Sequence, residues 1–206
     1  MVAGKSSARA GLTQFRGSRL IGPHHPVKYQ SGAVGKIVRL YVRKDPVKLV
    51  ATALAAAYFV WCAYDPHRWH FIDGVDLIIH EAGHVVFMPF GEFITVAGGS
   101  LFQLIMPAAF ALYFYRRGQP FSAALVLFWL GQSLLNVAVY AGDALRLELP
   151  LLGGQDSVHD WNYMLDRLGL LASSEVIGGG LRVCGTVLIV AAGLCAFSRS
   201  GEDEGT

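Results

Sequence analysis

Residues 77–88 read Leu77-Ile78-Ile79-His80-Glu81-Ala82-Gly83-His84-Val85-Val86-Phe87-Met88. Two histidines four apart, with a glutamate between them, stand in sequence apolar enough for a bilayer core. On a helix, residues i and i+4 share a face. Both imidazoles can therefore reach one zinc ion while Glu81, one step round, serves as general base on water activated there. The same residues also read as a buried helix with two hydrogen-bonded histidines. That reading leaves an acid and two bases in apolar sequence without a reason, where ionisable groups are costly.

The surroundings decide the fold class. Of 206 residues, 53% are hydrophobic and only 16% charged, beyond the usual balance of a soluble domain. The uncharged runs Phe93–Tyr115 and Gly118–Gly142 are each long enough to cross a hydrocarbon core of about 30 Å. Leu49–Tyr64 and Val183–Ser198 are shorter, with Lys48 and Arg182 able to snorkel at their ends. The motif segment, about 72–90, is interrupted by Asp73 and Asp76, so it either crosses or enters and returns. The expectation is an all-α, polytopic membrane helical bundle of about four to five membrane segments, the motif helix included. It divides into a basic tail (1–45), a membrane-embedded domain (46–198) and a polar C-terminal tail (199–206).

Ten of the 17 Lys and Arg precede residue 49 against one acid, Asp45, a local charge of +9. By the positive-inside rule this places the N-terminus in the cytoplasm; the expected location is the plasma (inner) membrane. The tail, rich in Gly and Ser, reads as flexible and able to rest on anionic lipid; a basic, acid-poor transit peptide is the other reading. If the motif helix crosses fully, Arg116-Arg117 falls on the outer side. If it is re-entrant, that pair is cytoplasmic and the loop 143–175, with two Arg and six acids, is outside. The second threading agrees better with the rule.

Along the chain, Trp69 and His70 suit an interface, and Pro89 and Gly91 end the motif helix. Glu92–Val96, with β-branched and aromatic residues before Gly98-Gly99, reads as a short extended segment. Trp161, Met164, Leu165, Leu168 and Leu171 recur at helical spacing and predict an amphipathic helix over about 161–171. Gly178-Gly179-Gly180 reads as a close-packing helix surface, because no G-K-[ST] follows. Cys62, Cys184 and Cys195 lack paired spacing and read as small buried hydrophobes.

Asp73, Asp76, His80 and His84 fall within about 80° of one another on the motif helix. Asp76, one turn before His80, can accept the proton of its non-ligating nitrogen or simply favour the helix start; Asp73 reads as the latter. A zinc site needs a third protein ligand and an open position. His159 and Asp160 lead the candidates, although Asp160 equally reads as an N-cap for the Trp161 helix. Asp143 is another, or a partner for Arg146 at i+3. His67 and His70 follow through closeness in sequence.

H-E-A-G-H on an apolar helix, then Gly-Gly, further spans and Leu149-Pro150-Leu151-Leu152-Gly153-Gly154, resembles the site-2 protease family of intramembrane zinc metallopeptidases over about residues 72–165. The resemblance implies zinc on His80 and His84, Glu81 as the base, and cleavage of a transmembrane or membrane-adjacent peptide. In that family the aspartate of a Pro-x-x-Leu-Asp-Gly-like motif completes the zinc shell. Here glycine stands in its place, and His159 or Asp160, a few residues on, supplies the ligand instead. No peptide-binding domain of the kind some members carry is recognisable. The expected partners are the bilayer and a membrane-protein or peptide substrate, with no nucleic acid. A zinc-binding scaffold without hydrolysis, and a small ion or proton transport subunit, are the alternatives. Multi-histidine di-iron oxidation is not indicated, since only His80, His84 and His159 lie beyond the Trp69 region and no H-x-x-H-H box occurs.

Overall fold

Asp45 caps the first helix, its carboxylate accepting from the Val47 N–H at 2.8 Å, and Pro46 follows at the position where a missing N–H costs nothing. From there the chain forms six α-helices among the described residues, 44–149 and 159–202 of this computed structural model, with no strand among them. They are α1 (Pro46–Tyr64), α2 (Phe71–Phe87), α3 (Glu92–Arg116), α4 (Pro120–Gly142), α5 (Asp160–Arg167) and α6 (Ser174–Arg199). The expectations for the basic tail up to 43, the motif stretch 150–154 and the last residues 203–206 lie outside the described residues.

α1, α3, α4 and α6 are each long and apolar enough to cross a membrane. The all-α bundle is as expected, and the chain is an integral membrane protein. α2 is inside-out by the standard of a soluble helix. Asp73, Asp76, His80 and Gly83 face inward, while Ile78, Val85 and Val86 are exposed, as suits lipid.

Contacts give the direction of each helix. Phe110 stacks on Trp129 and Gln103 bonds Asn136, so α3 and α4 form an antiparallel hairpin about the turn at Arg117–Gln119. α6 returns along α4, where Gly185 meets Gly131 and Gly178 meets Ala138 so closely that a Cβ at either position on α6 would strike a carbonyl oxygen at 2.7 Å. Phe128, Leu135 and Ile189 fill the core beside these contacts. α1 runs in the same sense as α4, with Lys48 over Phe121 and Phe59 stacked on Phe128. α2 lies antiparallel to α3, Gly83 on Gly98 and His80 on Gly99, and so points the same way as α1. The motif helix therefore adds no reversal to the path.

One end of the bundle gathers the start of α1, the α3–α4 turn and the end of α6, where Asp45 N–H bonds the Ser200 carbonyl at 2.9 Å. Arg116 and Arg117 share that end with Lys44 and Lys48. The other end holds the α2–α3 turn, the 143–148 segment and α5.

Several local expectations are corrected. Glu92–Val96 is helical, not extended. Gly91, at φ 93°, makes the turn that frees α3 to start at Glu92, and the Thr95 hydroxyl bonds back to the Gly91 carbonyl at 2.9 Å. Packing of Gly98 against α2 then overrides the β-branched content. The amphipathic helix stops at Arg167, where Gly169 takes φ 68°. The last span begins at Ser174 rather than Val183, with Glu175 held at the bundle end by Arg146 at 2.5 Å. Of the glycine triplet only Gly178 makes the close contact; Gly179 and Gly180 face open space. Cys62 is buried, but Cys184 and Cys195 are exposed on α6. His70 is buried at the start of α2 rather than interfacial, packed edge-on against Trp61.

Candidate metal centre

α2 presents His80 and His84 one turn apart, their rings 4.8 Å between centroids. α5 brings the third group. Asp160 is its first helical residue, since His159 takes the N-cap position with its Nδ1 accepting from the Asn162 N–H at 3.2 Å. Asp160 is thereby released from capping, and its Oδ2 lies 2.9 Å from His80 Nε2 and 3.3 Å from His84 Nε2. Its backbone N–H is held by the Tyr140 hydroxyl at 3.1 Å. Burial pushes the Asp160 carboxyl up, but the two facing imidazoles outweigh that and hold it below the usual carboxylate range.

The donor set fits a zinc ion. Two imidazole nitrogens and one carboxylate oxygen lie within 4.8 Å of one another. Tetrahedral bonds of about 2.0–2.2 Å separate ligand atoms by roughly 3.3–3.5 Å, close to the spacing observed. The second nitrogens supply an independent test. His84 Nδ1 lies 2.9 Å from the Thr95 carbonyl oxygen, which can only accept, so Nδ1 carries a proton and, in the neutral ring that a metal would take, Nε2 is the nitrogen with the lone pair. His80 Nδ1 lies 3.3 Å from Gln103 Oε1. Gly99 makes the room: a Cβ there would stand 2.6 Å from His80 Nε2. Three protein ligands leave a fourth position for water or substrate.

Glu81 is exposed, one residue past His80, and near enough to be felt electrostatically at both His84 and Tyr140. The remaining expected residues go elsewhere. His159 is not with the pair on α2. It is buried against the Tyr140 ring, centroids 4.3 Å apart, with Nε2 3.4 Å from Asp143 Oδ2, because its other nitrogen is committed to capping α5. Asp143 does not pair with Arg146. Its oxygens accept the Glu148 and Leu149 N–H groups at 3.0 Å each, which the sharp turn after α4 leaves without helical partners. His70 starts α2, its N–H given to Asp73 Oδ2 at 2.6 Å, while His67 is exposed.

Asp76 does not serve His80 either. Its Oδ1 accepts from Trp129 Nε1 at 2.7 Å and from the Ser133 hydroxyl at 3.1 Å, because on the folded helix it turns toward α4. The acceptor at His80 is Gln103, which the motif-based reading missed. The signal was available: Gln103, Gln132 and Asn136 are amides in otherwise apolar spans, where an unpartnered polar group costs several kcal/mol and so must point inward, on the order of 2–7 kcal/mol by transfer. Comparison of the chain with protein-family models, with curated proteins and with solved structures finds no match to any of them.

Proposed function

We propose that this chain is a membrane-embedded, zinc-dependent hydrolase resembling the site-2 proteases, cutting peptide bonds of membrane or membrane-adjacent substrates. The observation that carries the reading is the convergence of His80, His84 and Asp160 from α2 and α5, with each histidine's Nδ1 turned to an acceptor and each Nε2 turned inward. Zinc held there supplies a Lewis acid that polarises a carbonyl and acidifies water. Glu81 takes the proton from the attacking water and returns it to the leaving amine. Thr95 and Gln103 orient the two histidines, Tyr140 positions Asp160 through its backbone, and the surrounding helices limit access of bulk water.

The basic end of the bundle, with Lys44, Lys48, Arg116, Arg117 and Arg199, is assigned to the cytoplasm by the positive-inside rule. The centre then lies toward the opposite face, beside the first turn of α3. Asp160 stands in for the aspartate that the sequence lacks at Gly153-Gly154.

Zinc content of detergent-purified, folded protein is the test. About one zinc is expected in the wild type, lost in His84→Ala, and retained in Glu81→Gln, whose peptide hydrolysis falls by about 10²–10⁴. A folded wild type that takes up no zinc refutes the proposal. Zinc retained with equal function in Glu81→Gln points to the scaffold role instead.

A further inference from the structure

We infer that a directional hydrogen-bond relay beginning at Asp73 sets His80 for its metal, with Gln103 as the positioning residue at the relay's end. The inference rests on the metal reading above and asks what makes one nitrogen of His80, rather than the other, available.

An amide side chain accepts at its oxygen and donates at its nitrogen, so the orientation of one amide dictates that of the next. Asp73 is the fixed point. Its Oδ2 accepts from the His70 N–H at 2.6 Å, and its Oδ1 accepts from the Gln132 amide and from Asn136 Nδ2 at 3.3 Å. Every partner that hydrogen-bonds this carboxylate is a donor. Asn136 must therefore turn its nitrogen to Asp73 and its carbonyl oxygen away, and that oxygen accepts from Gln103 Nε2 at 2.9 Å. Gln103 is left with Oε1 toward His80 Nδ1, 3.3 Å away. A carbonyl oxygen demands a proton on that nitrogen, so in the neutral ring that a metal would take Nε2 keeps its lone pair, on the side that faces Asp160 at 2.9 Å.

Reversing the relay brings like groups face to face. A flipped Asn136 sets its oxygen against the Asp73 carboxylate, and a flipped Gln103 sets its oxygen against that of Asn136. Gln103 is 2% exposed and Asp73 5%, so water does not relieve the conflict. The relay joins α2, α3 and α4. Asp73, two turns from His80 on the same helix, acts on it only through the other two helices.

The test is zinc affinity of the full chain in detergent, measured by chelator competition. Gln103→Met keeps length and removes the acceptor; Asn136→Leu keeps Gln103 but removes its link to Asp73, leaving Asp76, among the described residues, as the one acidic neighbour that acts on its amide. Each is expected to weaken zinc binding about 10- to 100-fold, the usual loss when an outer partner of a metal ligand is removed. Asn136→Asp separates orientation from packing. A carboxylic acid there donates to Asp73 through its hydroxyl and accepts from Gln103 through its carbonyl, as two close carboxyls share a proton. It is expected to bind zinc close to wild type, and more tightly than Asn136→Leu. A structural role alone predicts the reverse order, because leucine suits an apolar span better than an acid. Wild-type affinity in Gln103→Met, or tighter binding in Asn136→Leu than in Asn136→Asp, overturns the relay while leaving the metal site standing. A folded wild type without zinc overturns both. If Gln103→Met does not fold, the Asn136 pair decides.

Discussion

Adding one methyl group at Gly99 is expected to disable the proposed metal centre without replacing any of its ligands. A Cβ at this position on α3 would lie 2.6 Å from His80 Nε2, 2.7 Å from Cε1 and 2.8 Å from Cδ2. Carbon contacts of this kind are not tolerated below 3.0 Å and are ordinary only beyond 3.4 Å, so ring and methyl must separate by about 0.4–0.8 Å. Zinc–ligand distances tolerate only about ±0.2 Å. α3 has little freedom to retreat, since Gly98 sits against Gly83 and Phe87 one residue earlier. The displaced ring moves off its acceptor Gln103 as well as off the metal position. The loss in zinc affinity should therefore be at least the 10- to 100-fold of a lost outer partner, equivalent to about 1.4–2.8 kcal/mol. Overpacking costs the zinc-free fold about 1–3 kcal/mol. Chelator competition on Gly99→Ala, with thermal melting of the metal-free protein beside it, reads both. Gly99→Ala protein that binds zinc as tightly as wild type refutes the geometry deduced for His80.

Asp160→Ala should remove bound zinc, whereas His159→Ala should keep it and lose about 1 kcal/mol of stability through the cap of α5; parallel zinc analysis and melting distinguish the two. His159 also predicts a pH dependence. Burial pushes its pKa below the ordinary 6.5, with Asp143 drawing it partly back, so the folded state holds it neutral where the unfolded chain protonates. Stability is then full above about 6.5 and declines as pH falls below that value toward the folded pKa. Melting of metal-free protein between about pH 7.5 and 5.5 should show a shallower slope in His159→Gln than in wild type. Equal slopes would assign the acid sensitivity to other groups.

The parts legible in the sequence were those that depend on near neighbours. Hydrophobic runs give spans because every residue of a membrane helix meets the same apolar solvent, and H-E-x-x-H gives a shared helix face because i and i+4 are adjacent by geometry. The extended reading of Glu92–Val96 failed because side-chain propensity there is weaker than the packing of α3 on α2. The reading of Cys184 and Cys195 as buried failed because an apolar helix in lipid carries no outward polar face to mark which side is which.

By itself, then, the sequence determined an all-α membrane protein and the two histidines of one helix turn, each through local periodicity. Only the tertiary structure decided the third group, choosing Asp160 over its neighbour His159. The two differ by one position, and the choice turns on which of them caps α5 and which is aimed across the bundle at α2. It alone also put Gln103, rather than Asp76, at His80. Contacts between residues tens of positions apart depend on how helices are rotated and docked, and no local spacing encodes that rotation when lipid-facing and buried surfaces are both apolar.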